Sequence, residues 1–118
     1  MNYIWNESLD AVLAIGRPLE PLGVRNFALS KASALEALEQ LKLLGIAVLG
    51  GDVYVDQEGE LQNNCDNWYC DPLEGEDNTA FVSRSVALAR NYIQSYSFDS
   101  AYFALVPGPH KQTEKSPI

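Results

Sequence analysis

The amino-acid sequence predicts an α+β fold, with a mixed or mostly antiparallel sheet packed against about three helices. Three observations carry that expectation. Apolar residues recur at helical spacing over 30–45 and 78–96. Short apolar or alternating runs with the period of strands lie between and after them. Glycines and prolines stand at the boundaries. The 118 residues suit one domain around one core. That domain is expected over 1–109, with 110–118 a polar, disordered tail.

In chain order, Asn6 is placed to cap a short helix over 7–15. Leu9, Val12 and Leu13 form its buried side, and Gly16 stands where a left-handed C-terminal glycine would. Pro18, Pro21 and Gly23 make 17–23 a loop, and 25–29 suits a short strand. Ser30 is a good N-cap for the clearest helix, in which Ala34, Ala37, Leu38, Leu41 and Leu44 point inward and Glu36, Glu39 and Gln40 outward. Gly45 ends it. The apolar run 46–49 suits a buried strand, which Gly50-Gly51 interrupts as a bulge or tight turn would. From Asp52 to Asp56 the pattern alternates, with Val53 and Val55 on one face and Tyr54 on the other. Gln57-Glu58-Gly59 then makes a hairpin turn into a strand near 60–62. A polar, aromatic-bearing loop is expected over 63–76. The helix over 78–96 turns Val82, Val86, Ala89, Ile93 and Tyr96 inward and Arg84, Arg90 and Asn91 outward. A last strand, 101–106, stops at Pro107-Gly108-Pro109. The order of strands in the sheet is not legible.

Composition bounds the function. The formal net charge is −8. Such a chain repels nucleic acid and anionic membrane surfaces, because both are bound through Lys and Arg. A basic protein partner is the natural complement, although acidity also serves plain solubility. The charge is concentrated: Asp52, Asp56, Glu58, Glu60, Asp66, Asp71, Glu74, Glu76 and Asp77 fall in one stretch that has no Lys or Arg. The apolar run at 43–50 is far too short to span a bilayer, and 1–7 lacks the features of a signal peptide. A cytoplasmic protein with reduced thiols is expected.

Little supports catalysis. The single histidine, His110, lies in the tail, where a Ser-His or Cys-His pair could not use it. Cys65 and Cys70 have no second pair or nearby histidine, so neither a metal site nor a disulfide scaffold is expected, and no cofactor is implied. Asp56, Glu58 and Glu60 alternate as in a calcium loop, but Leu61 stands where the sharp-turn glycine belongs. Paired carboxylates are plentiful, so a small hydrolase stays open as an alternative, as does a general ligand-binding or adaptor domain. The cluster Asp66, Asn67, Trp68, Tyr69 and Asp71 has the character of an interface, aromatic area among orienting acids. Trp68 and Tyr69 could equally fold back over the core, and a mixture, with Trp68 buried and the acids outside, is a third arrangement.

The run Leu44-Gly45-Ile46-Ala47-Val48-Leu49-Gly50-Gly51-Asp52-Val53-Tyr54, followed by Asp66-Asn67-Trp68-Tyr69-Cys70-Asp71, resembles an immunity-protein family of bacterial polymorphic toxin systems, the one numbered forty. The resemblance covers Phe27 to Val106 and includes the helix that begins Phe81-Val82-Ser83-Arg84-Ser85. The Gly-Gly-Asp-Val-Tyr and Asn-Trp-Tyr-Cys-Asp pieces are fairly specific together and weak alone. The resemblance implies a non-catalytic protein that binds the toxin domain encoded beside it and blocks its activity. Such toxins are often nucleases, whose basic clefts suit an acidic inhibitor. The matching motif positions are Asp52, Tyr54, Asp66, Asn67, Trp68, Tyr69, Cys70 and Asp71. Without Cys70, and with Asp56, Glu58 and Glu74 from the acidic stretch, they make up the candidate toxin-binding set.

Overall fold

Ser30 shows how local chemistry starts the helical layer. Its backbone is extended, and its Oγ accepts the Ser33 N–H at 3.2 Å, satisfying one of the free donors at a helix start. The computed structural model describes residues 7–108, so the expected Asn6 cap, the 110–118 tail and His110 lie outside the described residues. The elements are α1 (Glu7–Leu13), β1 (Arg17–Pro18), a 3-10 turn (Glu20–Leu22), β2 (Phe27–Ser30), α2 (Lys31–Leu43), β3 (Val48–Gln57), β4 (Glu60–Tyr69), α3 (Asn78–Ser95) and β5 (Tyr102–Pro107). Asp77 caps α3 by accepting the Ala80 N–H at 2.8 Å.

The five strands form one sheet in the order β1-β2-β5-β3-β4, and every neighbouring pair is antiparallel. The α+β expectation with a mostly antiparallel sheet is therefore met. The main core lies between one sheet face and the helices. Leu38 and Leu41 of α2, Val86 and Ile93 of α3, and Leu9 and Leu13 of α1 meet Leu29, Val53, Phe103 and Leu105 there. Burying each such side chain contributes about 1.5–3 kcal/mol. Ser85 is the polar member of this layer. Its Oγ accepts the Val48 N–H at 3.0 Å and donates to the Val82 carbonyl at 3.2 Å, tying α3 to the start of β3.

Several expectations need correction. Leu44 lies 40 % exposed, because α2 ends at Leu43 and Leu44 caps it off the buried stripe. Gly16 is not a left-handed cap; a Cβ there would sit 2.6 Å from the Ala28 carbonyl oxygen, so its absence lets the chain pass close to β2. The segment 17–23 holds β1 and the 3-10 turn rather than a loop. Gly50-Gly51 lies inside β3, with a register irregularity against β5 just before it. Residues 63–69 belong to β4, not to a loop, and their polar sequence suits a strand mostly exposed at the edge of the sheet. Arg84 and Arg90 are half-buried and ion-paired, to Glu76 and Glu39, rather than simply outward.

Leu38 is wholly buried at the centre of the α2 stripe. Leu38→Asp is expected to cost about 3–5 kcal/mol, since an unpaired carboxylate would enter the core. Urea denaturation followed by circular dichroism measures this directly.

Candidate functional site

The two sequence pieces that carry the family resemblance are cross-strand partners. Gly50 faces Tyr69, Gly51 faces Trp68, and Asp52 faces Asn67 in the β3–β4 ladder. Glycine is required at both leading positions. A Cβ on Gly51 would lie 2.3 Å from the Trp68 ring, and one on Gly50 would lie 2.2 Å from the Trp68 carbonyl oxygen. The missing side chains let Trp68 lie over β3 and let the two backbones close up.

Trp68 therefore points into the main core. It stacks on Tyr92 with ring centroids 4.6 Å apart, and the aromatic row continues through Tyr96 to Phe103. Its buried Nε1 has no hydrogen-bond partner among the described residues. Because alternate residues of a strand face opposite ways, Tyr69 points to the other face, where it is 74 % exposed. The two aromatic residues thus divide the alternatives: Trp68 is core and Tyr69 is surface.

The second sheet face is covered over only half its length. Leu19, Ala28, Tyr54, Leu61 and Ala104 form a small second core beneath the 17–22 segment. Arg17 fastens this lid. It donates to Asp56 Oδ2 at 2.8 Å and to the Gly59 carbonyl at 3.1 Å, and its guanidinium lies 5.2 Å from the Tyr102 ring centroid. The ion pair and the Gly59 N–H hold the Asp56 carboxyl below its ordinary range, and burial raises the Tyr54 phenol. Both residues of the β3–β4 turn, Glu58 and Gly59, have positive φ, as a two-residue hairpin turn requires.

Beyond the lid the face is open. A depression of about 520 Å³ lined by Val24, Arg25, Asn26, Asp52, Ala104, Val106 and Pro107 adjoins a shallower one of about 220 Å³ that includes Asp52, Asn67, Tyr69 and Val106. Each contains one acid, Asp52. A larger hollow of about 620 Å³, beside Asp10, Glu20 and Phe27, holds none of the motif residues. Sequence reasoning missed Val106, Val24 and Arg25. The alternation of the last strand could have placed Val106 on this face, whereas nothing local signals the other two.

The nine clustered acids separate into two groups. Four are tied to the fold. Asp56 pairs with Arg17; Asp66 accepts the Tyr96 hydroxyl proton at 2.6 Å; Glu76 pairs with Arg84; Asp77 caps α3. Asp66 sits in an irregular stretch of β4, where Cys65 is left-handed and its N–H is held by Asn63 Oδ1 at 2.7 Å. Arg84 also donates to the Asp71 carbonyl and to the buried Cys70 sulfur, pinning the 70–77 segment to α3. The other five acids, Asp52, Glu58, Glu60, Asp71 and Glu74, make no side-chain hydrogen bond or ion pair among the described residues. Glu58 and Glu60 stand at one end of the hairpin, and Asp71 and Glu74 follow its other end, roughly 30 Å away along β4. Among the described residues no group of three or more His, Cys, Asp or Glu is placed to hold a metal ion, and no helix is long and apolar enough to cross a membrane.

A small domain with a half-open sheet face and an acidic hairpin edge has the makings of a protein-binding module, the class to which immunity proteins belong. The family model described as Immunity protein 40 matches residues 18–107, and the chain belongs to that family. Membership assigns it, in general terms, the neutralisation of a toxin. The match begins ahead of Phe27 and so takes in the Leu19 lid as well as the hairpin. Comparison with curated proteins and with solved structures returned no match.

The Glu76–Arg84 pair makes a pH prediction. Hydrogen bonds from Arg84, and then from the Leu73 N–H, lower the Glu76 carboxyl to about 2 from its ordinary 4.5. In that window the unfolded chain binds the proton more readily, so stability from this pair is complete above pH 4.5 and lost as pH falls toward 2. Glu76→Gln is expected to lower the urea midpoint at pH 6 and to flatten its decline between pH 4.5 and 2.5.

Proposed function

We propose that this chain neutralises its toxin by direct, non-catalytic contact, using the open half of the second sheet face and the acidic edge beside it. The single observation that carries this reading is Tyr69. A large aromatic side chain, 74 % exposed, stands beside Asp52 and Asn67 on an uncovered sheet face, within the residues that the family model matches. Aromatic residues placed this way are the usual energetic centre of an interface.

The proposed partner is a basic toxin domain, in which a nuclease fits best. The five unengaged acids support this, because the fold does not use their charge. In the proposed surface Asp52, Asn67 and Tyr69 lie at the centre, and Glu58, Asp71 and Glu74 lie at the two ends. Tyr54, Asp56, Asp66 and Trp68 support it: Tyr54 as packing under the lid on the same face, Trp68 as packing on the opposite face, Asp56 through Arg17 and Asp66 through Tyr96. The same charge argues against nucleic acid or an anionic membrane as the partner. The proposed compartment is the cytoplasm, where the toxin would act.

Peripheral charges act mainly on association and buried anchors on dissociation. Glu58→Lys combined with Glu74→Lys is expected to slow association with the adjacent toxin domain about tenfold at low salt, with the difference fading at high salt. Tyr69→Ala is expected to raise the dissociation rate by roughly 10–30-fold. Surface plasmon resonance at two salt concentrations, beside a co-expression survival assay, measures both. A folded charge-reversed variant that associates at the wild-type rate in low salt would remove the acidic edge from the interface.

A further inference from the structure

We infer that the toxin contributes a basic, extended segment that pairs with the free edge of β4 at Asn67 and Tyr69, adding a strand to the sheet. This rests on the direct-contact reading above and specifies how the contact is made.

The phase of the β3–β4 ladder supplies the first argument. The Cys70 N–H donates to the Leu49 carbonyl at 2.8 Å, so it points inward toward β3. The Tyr69 carbonyl, on the same peptide, therefore points outward. The Trp68 carbonyl oxygen lies where a Gly50 Cβ would be, only 2.2 Å from that position, so it too faces β3, and the Tyr69 N–H faces away. Antiparallel pairing alternates between hydrogen-bonded and non-bonded pairs, which makes Asn67 another outward-facing residue. β4 is the terminal strand of the sheet, and neither residue's backbone makes a hydrogen bond outside the β3–β4 ladder among the described residues. Two successive outward N–H and C=O pairs are thus presented beside the exposed Tyr69 and Asn67 side chains.

The choice of occupant follows from charge and from the irregularity in β4. Exposed edges are commonly protected by lysine, proline or bulges. Residues 60–69 carry no lysine and no proline, and Glu60, Asp66, Asp71 and Glu74 lie along or just beyond the strand. Two copies of this edge would bring like charges together, whereas a strand bearing Lys or Arg would be attracted. The register irregularity at 64–66 divides the edge, so a partner strand cannot run flat along its whole length. The stretch from Asn67 onward, next to Asp52 and the open face, is where backbone pairing and side-chain contact coincide.

Proline at position 69 would remove the outward N–H while leaving the bonds to β3 intact, and proline is tolerated at an edge in that orientation. The experiment compares Tyr69→Ala with Tyr69→Pro, and Asn67→Ala with Asn67→Pro, for affinity to the toxin domain encoded by the neighbouring gene. Thermal melts check that each variant folds. Each proline variant is expected to bind about tenfold more weakly than its alanine counterpart, for the loss of backbone pairing. In the wild-type protein the Asn67 and Tyr69 amides should exchange with deuterium rapidly alone and slowly in the complex. Should a proline variant fail to fold, wild-type exchange decides the matter alone.

Equal losses for alanine and proline, or amides still fast in the complex, would overturn strand addition while leaving the Tyr69 surface in place. Full toxin binding by all four folded variants would remove both the strand and the surface. Slow exchange without toxin that depends on protein concentration would assign the edge to a second copy of this chain and overturn the inference.

Discussion

The close approach of β3 and β4 at Gly50 and Gly51 is the constraint on which the rest of the site depends. No side chain can stand at either position, because the Trp68 carbonyl occupies one and the Trp68 ring occupies the other. With that space open, Trp68 reaches Tyr92 and joins the helical layer to the hairpin. Strand alternation then leaves Tyr69 no choice but the opposite face. The register that sets Gly51 against Trp68 also sets Asp52 against Asn67. One steric requirement thereby fixes a core tryptophan, a surface tyrosine and the polar pair between them.

The electrostatics show how a strongly acidic chain keeps both a fold and a field. Among the described cations, Arg17, Lys31, Arg84 and Arg90 are all engaged in ion pairs. These contacts join segments distant in sequence: Arg17 holds the lid to the hairpin turn, and Arg84 holds the 70–77 segment to α3. Four of the six described cations are thus spent on internal contacts. Within the acidic stretch from Asp52 to Asp77, the uncompensated negative charge is left at the ends of the hairpin and at Asp52, where a Debye length of about 8 Å in physiological salt lets it act only on a partner already near.

Much of the fold was legible because its periods are local. The α2 and α3 stripes, the Ser30 cap and the Glu58-Gly59 turn each depend on a few neighbouring residues, and each appears where the sequence places it. The polar run from Asn63 to Asn67 was not legible as strand. Its conformation comes from pairing with β3, and a mostly exposed edge needs no apolar alternation to stay in place. The lid escaped notice for a similar reason, since Arg17 finds Asp56 only in three dimensions. For the candidate site, both motif pieces fall on one hairpin, but the sequence could not divide Trp68 from Tyr69. That division became visible only once the register was known.

The position of β5 has a consequence for when the protein can work. β5 follows the other four described strands in sequence yet lies between β2 and β3, so the sheet stays in two pieces until Tyr102–Pro107 is in place. The β3–β4 hairpin can close early from local contacts, but the helices have no continuous surface to cover until the central gap is filled. During synthesis the chain must therefore clear the ribosome as far as Pro107 before the native sheet can assemble. Until that strand is in place, neither sheet face exists as a continuous surface that another protein could meet.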